Sequence, residues 1–259
     1  MSVFLISFLI GCSEDPTISG TVKDIWNNPV EGVSVMMEGV SEDQKTDASG
    51  SFTFVIPEEK EGKLRFRANH ADYLYDVEMV SYSKDLEEEA IPSVNFNLYP
   101  KPDSKGFFGI GAQQYVPLAS EKTHRVATKL ESYQGLAEVG STLFINRSPK
   151  FVFHTTLRAE DIKRIDLHLY QLGFKEKEEL KGVLGETSIE IDLWLPKEVP
   201  IEFTIKSLDQ DEMYLLELNQ DLAKGLYAFA TREVLGGSTP GKDPALPSEL
   251  QVAYPFEVK

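Results

Sequence analysis

Apolar and polar residues alternate along most of this chain in short runs broken by turn-forming residues. Ile18, Gly20 and Val22 form one such set, and Val33, Val35 and Met37 a second. Phe52 and Phe54, then Leu64, Phe66 and Ala68, then Val94, Phe96 and Leu98 continue the pattern. A period of two puts each set on one face of a β-strand. Asp24-Ile25-Trp26-Asn27-Asn28-Pro29 and Thr46-Asp47-Ala48-Ser49-Gly50 supply turn chemistry between them. No helical period competes over residues 17–100.

Pro100-Lys101-Pro102-Asp103-Ser104-Lys105-Gly106 then interrupts the pattern with two prolines, a glycine and polar residues, which reads as a linker. Beyond it the alternation resumes. Phe151-Val152-Phe153 predicts a strand, as do Ile165, Leu167 and Leu169. Ile189, Ile191, Leu193 and Leu195 form a continuous period-two set, followed by Ile201, Phe203 and Ile205. Leu226–Ala230 and Val252–Val258 complete the series. Two segments could be helical: Ala159–Ile165, and the charged run Lys175–Leu180, which reads better as a hairpin tip. Short strands spaced by turns predict an all-β chain of two β-sandwich domains in tandem, 17–100 and 107–259, joined by 101–106.

The first domain carries a resemblance. Ile18-Ser19-Gly20-Thr21-Val22, Asn28-Pro29-Val30-Glu31-Gly32-Val33-Ser34-Val35, Thr46-Asp47-Ala48-Ser49-Gly50-Ser51-Phe52 and Asn69-His70-Ala71-Asp72-Tyr73 resemble the carboxypeptidase regulatory-like domain, a small transthyretin-like β-sandwich. The resemblance implies a spacer, scaffold or partner-binding module without catalysis of its own. Physical roles follow from the residue types. Gly20 and Gly32 would relieve crowding, and Pro29 would fix a turn at a sheet edge. Asp47 would accept backbone N–H bonds across its own turn, and Gly50 would supply the positive φ that ends it. The Gly-Tyr usual near the end of that family stands here as Asp72-Tyr73.

Val3-Phe4-Leu5-Ile6-Ser7-Phe8-Leu9-Ile10 is an apolar run too short to span a bilayer and suited to the core of a signal peptide. Leu9-Ile10-Gly11-Cys12 resembles the lipobox of bacterial lipoproteins, in which cleavage precedes the cysteine and its thiol becomes acylated. The resemblance implies a signal peptide over residues 1–11, a lipidated Cys12 carrying palmitate-like chains, and a polar tether over 12–16. The other reading is a buried strand whose cysteine is merely a small apolar residue. Ser13 in place of an aspartate favours the outer membrane of a bacterial envelope over inner-membrane retention.

Composition narrows the partners. The chain has 259 residues, with 26 Lys and Arg against 42 Asp and Glu, a formal charge of −16. Such an acidic surface repels phosphate backbones, so no nucleic-acid partner is expected. A single cysteine excludes an intrachain disulfide framework and a multi-cysteine metal site.

Short catalytic motifs are absent. His70, His124, His154 and His168 stand apart and form no H-E-x-x-H pattern, and no G-x-S-x-G elbow occurs. His154 and His168 fall on strands expected to be neighbours and could share a site, or could be hydrogen-bonded edge residues. Gly106-Phe107-Phe108-Gly109-Ile110-Gly111-Ala112 has glycines at intervals that suggest nucleotide binding but lacks a βαβ setting. Asp209-Gln210-Asp211-Glu212 could bind calcium through oxygens or form a solvated turn. Glu58–Glu61 and Glu87–Glu89 read as exposed loop charge, and Gly236–Ser248 as a long Gly/Pro-rich loop. Trp26, in a turn, is the candidate binding residue: an exposed indole stacks on sugar rings or anchors an interface, whereas a folded-back one covers the sandwich edge. The expectation is a non-catalytic, membrane-anchored envelope protein that binds a protein or glycan, with no cofactor or metal. The alternative is an envelope hydrolase with its site in 107–259.

Overall fold

The strand periodicity materialises as sheets. A computed structural model describes residues 15–86, 90–127, 132–140, 142–176, 178–182, 185–189, 192–208, 212–235 and 246–259. It is almost all β and divides into two compact units, 1–101 and 102–259. Cys12 and the apolar run before it lie outside the described residues, as do Glu87–Glu89, Asp209–Asp211 and most of the Gly/Pro-rich loop.

The first unit contains β1 (Thr17–Asp24), β2 (Ser34–Met37), β3 (Gln44–Lys45), β4 (Ser51–Val55), β5 (Gly62–Asn69), β6 (Asp76–Tyr82) and β7 (Val94–Leu98). They form a three-stranded sheet ordered β4-β1-β7 and a four-stranded sheet ordered β3-β2-β5-β6. β1 is antiparallel to β4 and parallel to β7, so the first and last strands of the unit run side by side. The alternating residues Ile18, Val22, Val35, Phe52, Phe54, Leu64, Phe66, Val94 and Phe96 are all buried in one core. At Gly20 a Cβ would lie 2.0 Å from the Val94 carbonyl oxygen and 2.4 Å from the Phe52 ring, so close approach demands glycine. Gly32 differs from expectation: nothing lies within 4 Å of its Cβ position, and it is fixed by its φ of 77°.

The turn at 46–50 forms as its residues dictate. Asp47 Oδ1 accepts N–H bonds from Ser49 (2.8 Å) and Ser51 (2.9 Å). Gly50, at φ 74°, donates its N–H to the Asp47 carbonyl.

The second unit is built from β8 (Gly106–Ile110), β9 (Tyr115–Pro117), β10 (His124–Ala127), β11 (Ser132–Gly135), β12 (Leu143–Phe144), β13 (Phe151–His154), α1 (Ala159–Ile162), β14 (Leu167–Lys175), β15 (Glu178–Gly182), β16 (Gly185–Ile189), β17 (Leu193–Pro196), β18 (Phe203–Ser207), β19 (Met213–Leu218), β20 (Gly225–Thr231), α2 (Arg232–Leu235) and β21 (Tyr254–Val258). Its two principal sheets are β18-β19-β13-β8-β9 and β12-β21-β20-β14-β17. Aromatic rings interlock between them. Phe107 stacks on Phe153 at 4.2 Å and on Phe229, from the other sheet, at 4.9 Å; Phe151 meets Phe256 at 5.1 Å.

β20 explains its own unbroken apolar sequence. Tyr227 and Phe229 enter the inter-sheet core, while Ala228 and Ala230 belong to a second cluster on the opposite face with Tyr170, Leu172, Leu136, Val234 and Leu235. A strand covered on both faces has no polar position to alternate with. β11 leads into the covering layer through Leu136, whose backbone pairs with Trp194, and α2 supplies Val234 and Leu235.

Three expectations are corrected. The set from Ile189 to Leu195 is divided between two strands, β16 and β17, with Ile191 outside the described residues and Asp192 at a positive φ of 24° before β17. The charged run Lys175–Leu180 is not a hairpin tip: Lys175 ends β14 and Glu178–Leu180 lie in β15, which pairs with β16 from Glu178 opposite Ile189 to Gly182 opposite Gly185. Ile165 and Ile201 lie outside the strands assigned to them, Ile165 following α1, and Ile201 bridging Leu169 in one sheet before the chain crosses to β18 in the other.

Candidate functional site

Asp166, His168 and Tyr170 occupy alternate positions around the start of β14, with Leu167 and Leu169 between them turned into the core. Across the ladder His168 is paired with Ala230 and Tyr170 with Ala228. Two small residues opposite two rings leave room above the sheet. There a cleft of about 430 Å³ opens, lined by His168, Tyr170, Pro196, Lys197, Glu198, Pro200, Arg232 and Leu235. Its size falls within the range of small-ligand sites.

The polar groups are unequally engaged. His168 Nε2 is 2.8 Å from Asp166 Oδ1, and the imidazole meets the Tyr170 ring edge-on at 5.4 Å. Arg232 is held near Asp166 by its backbone N–H, which donates to the Asp166 carbonyl at 2.9 Å. Its guanidinium stays 3.8 Å from Asp166 Oδ2, beyond hydrogen-bond distance, and is 63% exposed. Tyr170 is only 4% exposed. Its ring contact with His168 is its sole side-chain polar or aromatic partner among the described residues, and its hydroxyl has no hydrogen bond there. Burial first, and then the Asp166 charge, push the phenol up to about 12, Arg232 acting the other way. The phenol is therefore a proton donor throughout the physiological range.

His154 and His168 are not neighbours. β13 and β14 belong to different sheets, so no shared site forms. His154 Nδ1 is 2.7 Å from the Ser104 carbonyl oxygen and Nε2 is 2.8 Å from Lys105 Nζ. A carbonyl can only accept and an ammonium only donate, so the imidazole is neutral, with its proton on Nδ1. Burial foremost, opposed by the Ser104 bond and aided by Lys105, holds its pKa below the usual histidine value. Glu212, the described end of the acidic Asp209–Glu212 run, lies 3.5 Å from Lys105. Nearby, Glu249 is buried; its Oε1 accepts from the Thr155 hydroxyl at 2.7 Å and the Thr156 N–H at 3.2 Å.

Trp26 is half-buried at the turn after β1. Its N–H donates to Asp24 Oδ1 at 2.8 Å, and Asn27 beside it takes a φ of 66°. The glycines of 106–112 serve packing: a Cβ on Gly109 would lie 2.3 Å from the Phe144 ring, and Gly106–Ile110 is strand β8. Among the described residues no three His, Cys, Asp or Glu side chains converge on a metal position. No helix among them is long and apolar enough to cross a membrane.

Sequence reasoning passed over Asp166, Tyr170 and Arg232. The signal for the first two was present, since Asp-Leu-His-Leu-Tyr places three functional side chains on one strand face. Arg232 is brought in by the β14–β20 pairing and has no local signal.

No family model matches the chain, and no curated protein does. Among solved structures it is similar to the major pilin subunit BcpA of Bacillus cereus, at 9% identity over 94% of this chain and 68% of that one, with a TM-score of 0.25. A single-substitution variant of that pilin gives 9% identity, 94% and 67% coverage and a TM-score of 0.26.

Proposed function

We propose that the chain is a non-catalytic lipoprotein of a bacterial cell envelope, fastened to the outer membrane through Cys12, that binds an envelope protein or glycan. The observation that carries the binding role is the cleft over β14 and β20. It gathers charged and hydrogen-bonding groups, the His168 imidazole, the Tyr170 hydroxyl and the Lys197, Glu198 and Arg232 side chains, around a floor of small residues. For the first unit, sheets of three and four strands and the Asp47–Gly50 turn support a carboxypeptidase regulatory-like domain used as a spacer, with Trp26 as an accessory contact.

Metabolic labelling with a palmitate analogue tests the anchor: wild type takes up label and Cys12→Ala does not, and an unlabelled wild type overturns it. For the binding role, the chain and a His168→Ala/Arg232→Glu variant are cross-linked in intact envelopes. A specific adduct lost in the variant supports the cleft as the binding site; an adduct kept in full by the variant overturns that assignment.

One observation favours a hydrolase instead. The 2.8 Å Asp166–His168 bond would orient an imidazole as a general base. Release of product from envelope glycan or peptide that disappears in His168→Ala would carry that reading.

A further inference from the structure

Within the cleft two donor groups stand ready without acceptors. The Tyr170 side chain is enclosed on nearly all sides, its hydroxyl forms no hydrogen bond with a described residue, and it lines the cleft. That hydroxyl is a donor that a ligand entering the cleft would satisfy. The other group is the Arg232 guanidinium. It stands 3.8 Å from Asp166, whose Oδ1 is occupied by His168, so its donors are largely unspent. Five N–H groups in a planar fork suit a carboxylate in a way a single ammonium does not.

Resting on the reading of this cleft as a binding site, we infer that its ligand presents a carboxylate, held by the Arg232 fork and the Tyr170 hydroxyl. The surroundings select among anions. The lining holds two cations, Lys197 and Arg232, against the Glu198 carboxylate, with Asp166 beside Arg232, and the chain as a whole carries −16, so a single carboxylate suits the cleft better than a polyanion. A cationic group has little to bind, because Asp166 is already bonded to His168 and only Glu198 remains among the lining carboxylates. A carboxylate can come from an acidic sugar or from the C-terminus of a peptide; both offer the same two oxygens.

The test uses the full chain carrying Cys12→Ala, so that acylation plays no part, and follows Tyr170 and His168 resonances by NMR during titration. Galacturonate is compared with galactose, and an N-acetylated dialanine acid with its C-terminal amide. Both or either of the acids should shift the two resonances, the neutral partners should not, and whichever acid binds tighter identifies the source. Tyr170→Phe should weaken the responding acid about 10- to 100-fold, the worth of a hydrogen bond to a charged acceptor, without lowering the melting temperature. Arg232→Lys should weaken it about tenfold or more, and Lys150→Ala, a control for net charge, should leave it unchanged. Equal responses to acid and neutral partner, silence toward both acids, or indifference to Tyr170→Phe and Arg232→Lys would each overturn the carboxylate assignment. Loss of the envelope adduct in the His168→Ala/Arg232→Glu chain would still stand in those cases, so the two readings fail separately.

Discussion

At the turn after β1 the indole of Trp26 is half-buried, while the Asp24 carboxylate two residues earlier is 6% exposed and accepts three bonds, from the N–H groups of Trp26 and Asn28 and from Asn28 Nδ2. The turn therefore depends on the aspartate more than on the aromatic ring. Trp26→Ala should change stability by no more than about 1 kcal/mol, whereas Asp24→Ala should cost about 2–3 kcal/mol, since charge-assisted hydrogen bonds are lost at a buried position. Urea denaturation of the two variants measures the contrast, and a larger loss for Trp26→Ala would show the indole to be core. Roles that a side chain plays with its own neighbours, such as Asp47 across its turn, were legible in the sequence. Roles set by distant packing were not: the reason for glycine at 109 is the ring of Phe144, which arrives 35 residues later in the numbering.

Strand β20 carries the second unit because both of its faces are covered. Phe229 touches Phe107, Phe151, Phe203 and Phe256, linking the two sheets. Phe229→Ala should cost about 3–5 kcal/mol in thermal or chemical unfolding. On the other face the alanines keep the cleft open, so Ala230→Leu should abolish ligand shifts at His168, and retained shifts would show that the cleft floor lies elsewhere. Element identity was legible wherever burial on one face imposed a period of two, as in β1, β5 and β7. It failed where one period-two set, Ile189 to Leu195, is divided between β16 and β17 with Asp192 at positive φ, and where charge suggested a tip although Glu178–Leu180 lie in strand β15. The candidate site was half legible for a related reason. One strand face holds Asp166, His168 and Tyr170 in sequence order, but the partner that completes it comes from another strand end.

Over the molecule as a whole, the ionisable groups predict two acid limbs and one alkaline limb. His154 has its pKa lowered in the fold, so the unfolded chain binds the extra proton first. The stability it confers is complete above the ordinary value of 6.5 and is lost as pH falls below it. Glu249 follows the same sign at lower pH. Burial acts to raise it, but bonds from Thr155, its own N–H, Thr156 and Ser248 outweigh that, so its contribution fades as pH falls below about 4.5. Tyr170 and Tyr254 are both raised to about 12, chiefly by burial, so stability falls as pH rises from 10 toward 12. Melting temperatures across pH should show the limb near 6 diminished in His154→Gln and the alkaline limb diminished in Tyr170→Phe. A His154→Gln profile parallel to wild type would remove the histidine from the account.

The parallel pairing of β1 with β7 has a mechanical consequence for the first unit. Because Asp24 lies beside Leu98, the chain enters this sandwich at one end of the strand pair and leaves at the other, about 24 Å away at roughly 3.4 Å per residue. Tension applied between residues 17 and 98 would load all the rungs of that ladder in shear at once, where a hairpin would peel rung by rung. Such a module would resist extension abruptly and then give way in a single event, a behaviour that pulling on the unit with an optical trap would register as one tall rupture peak.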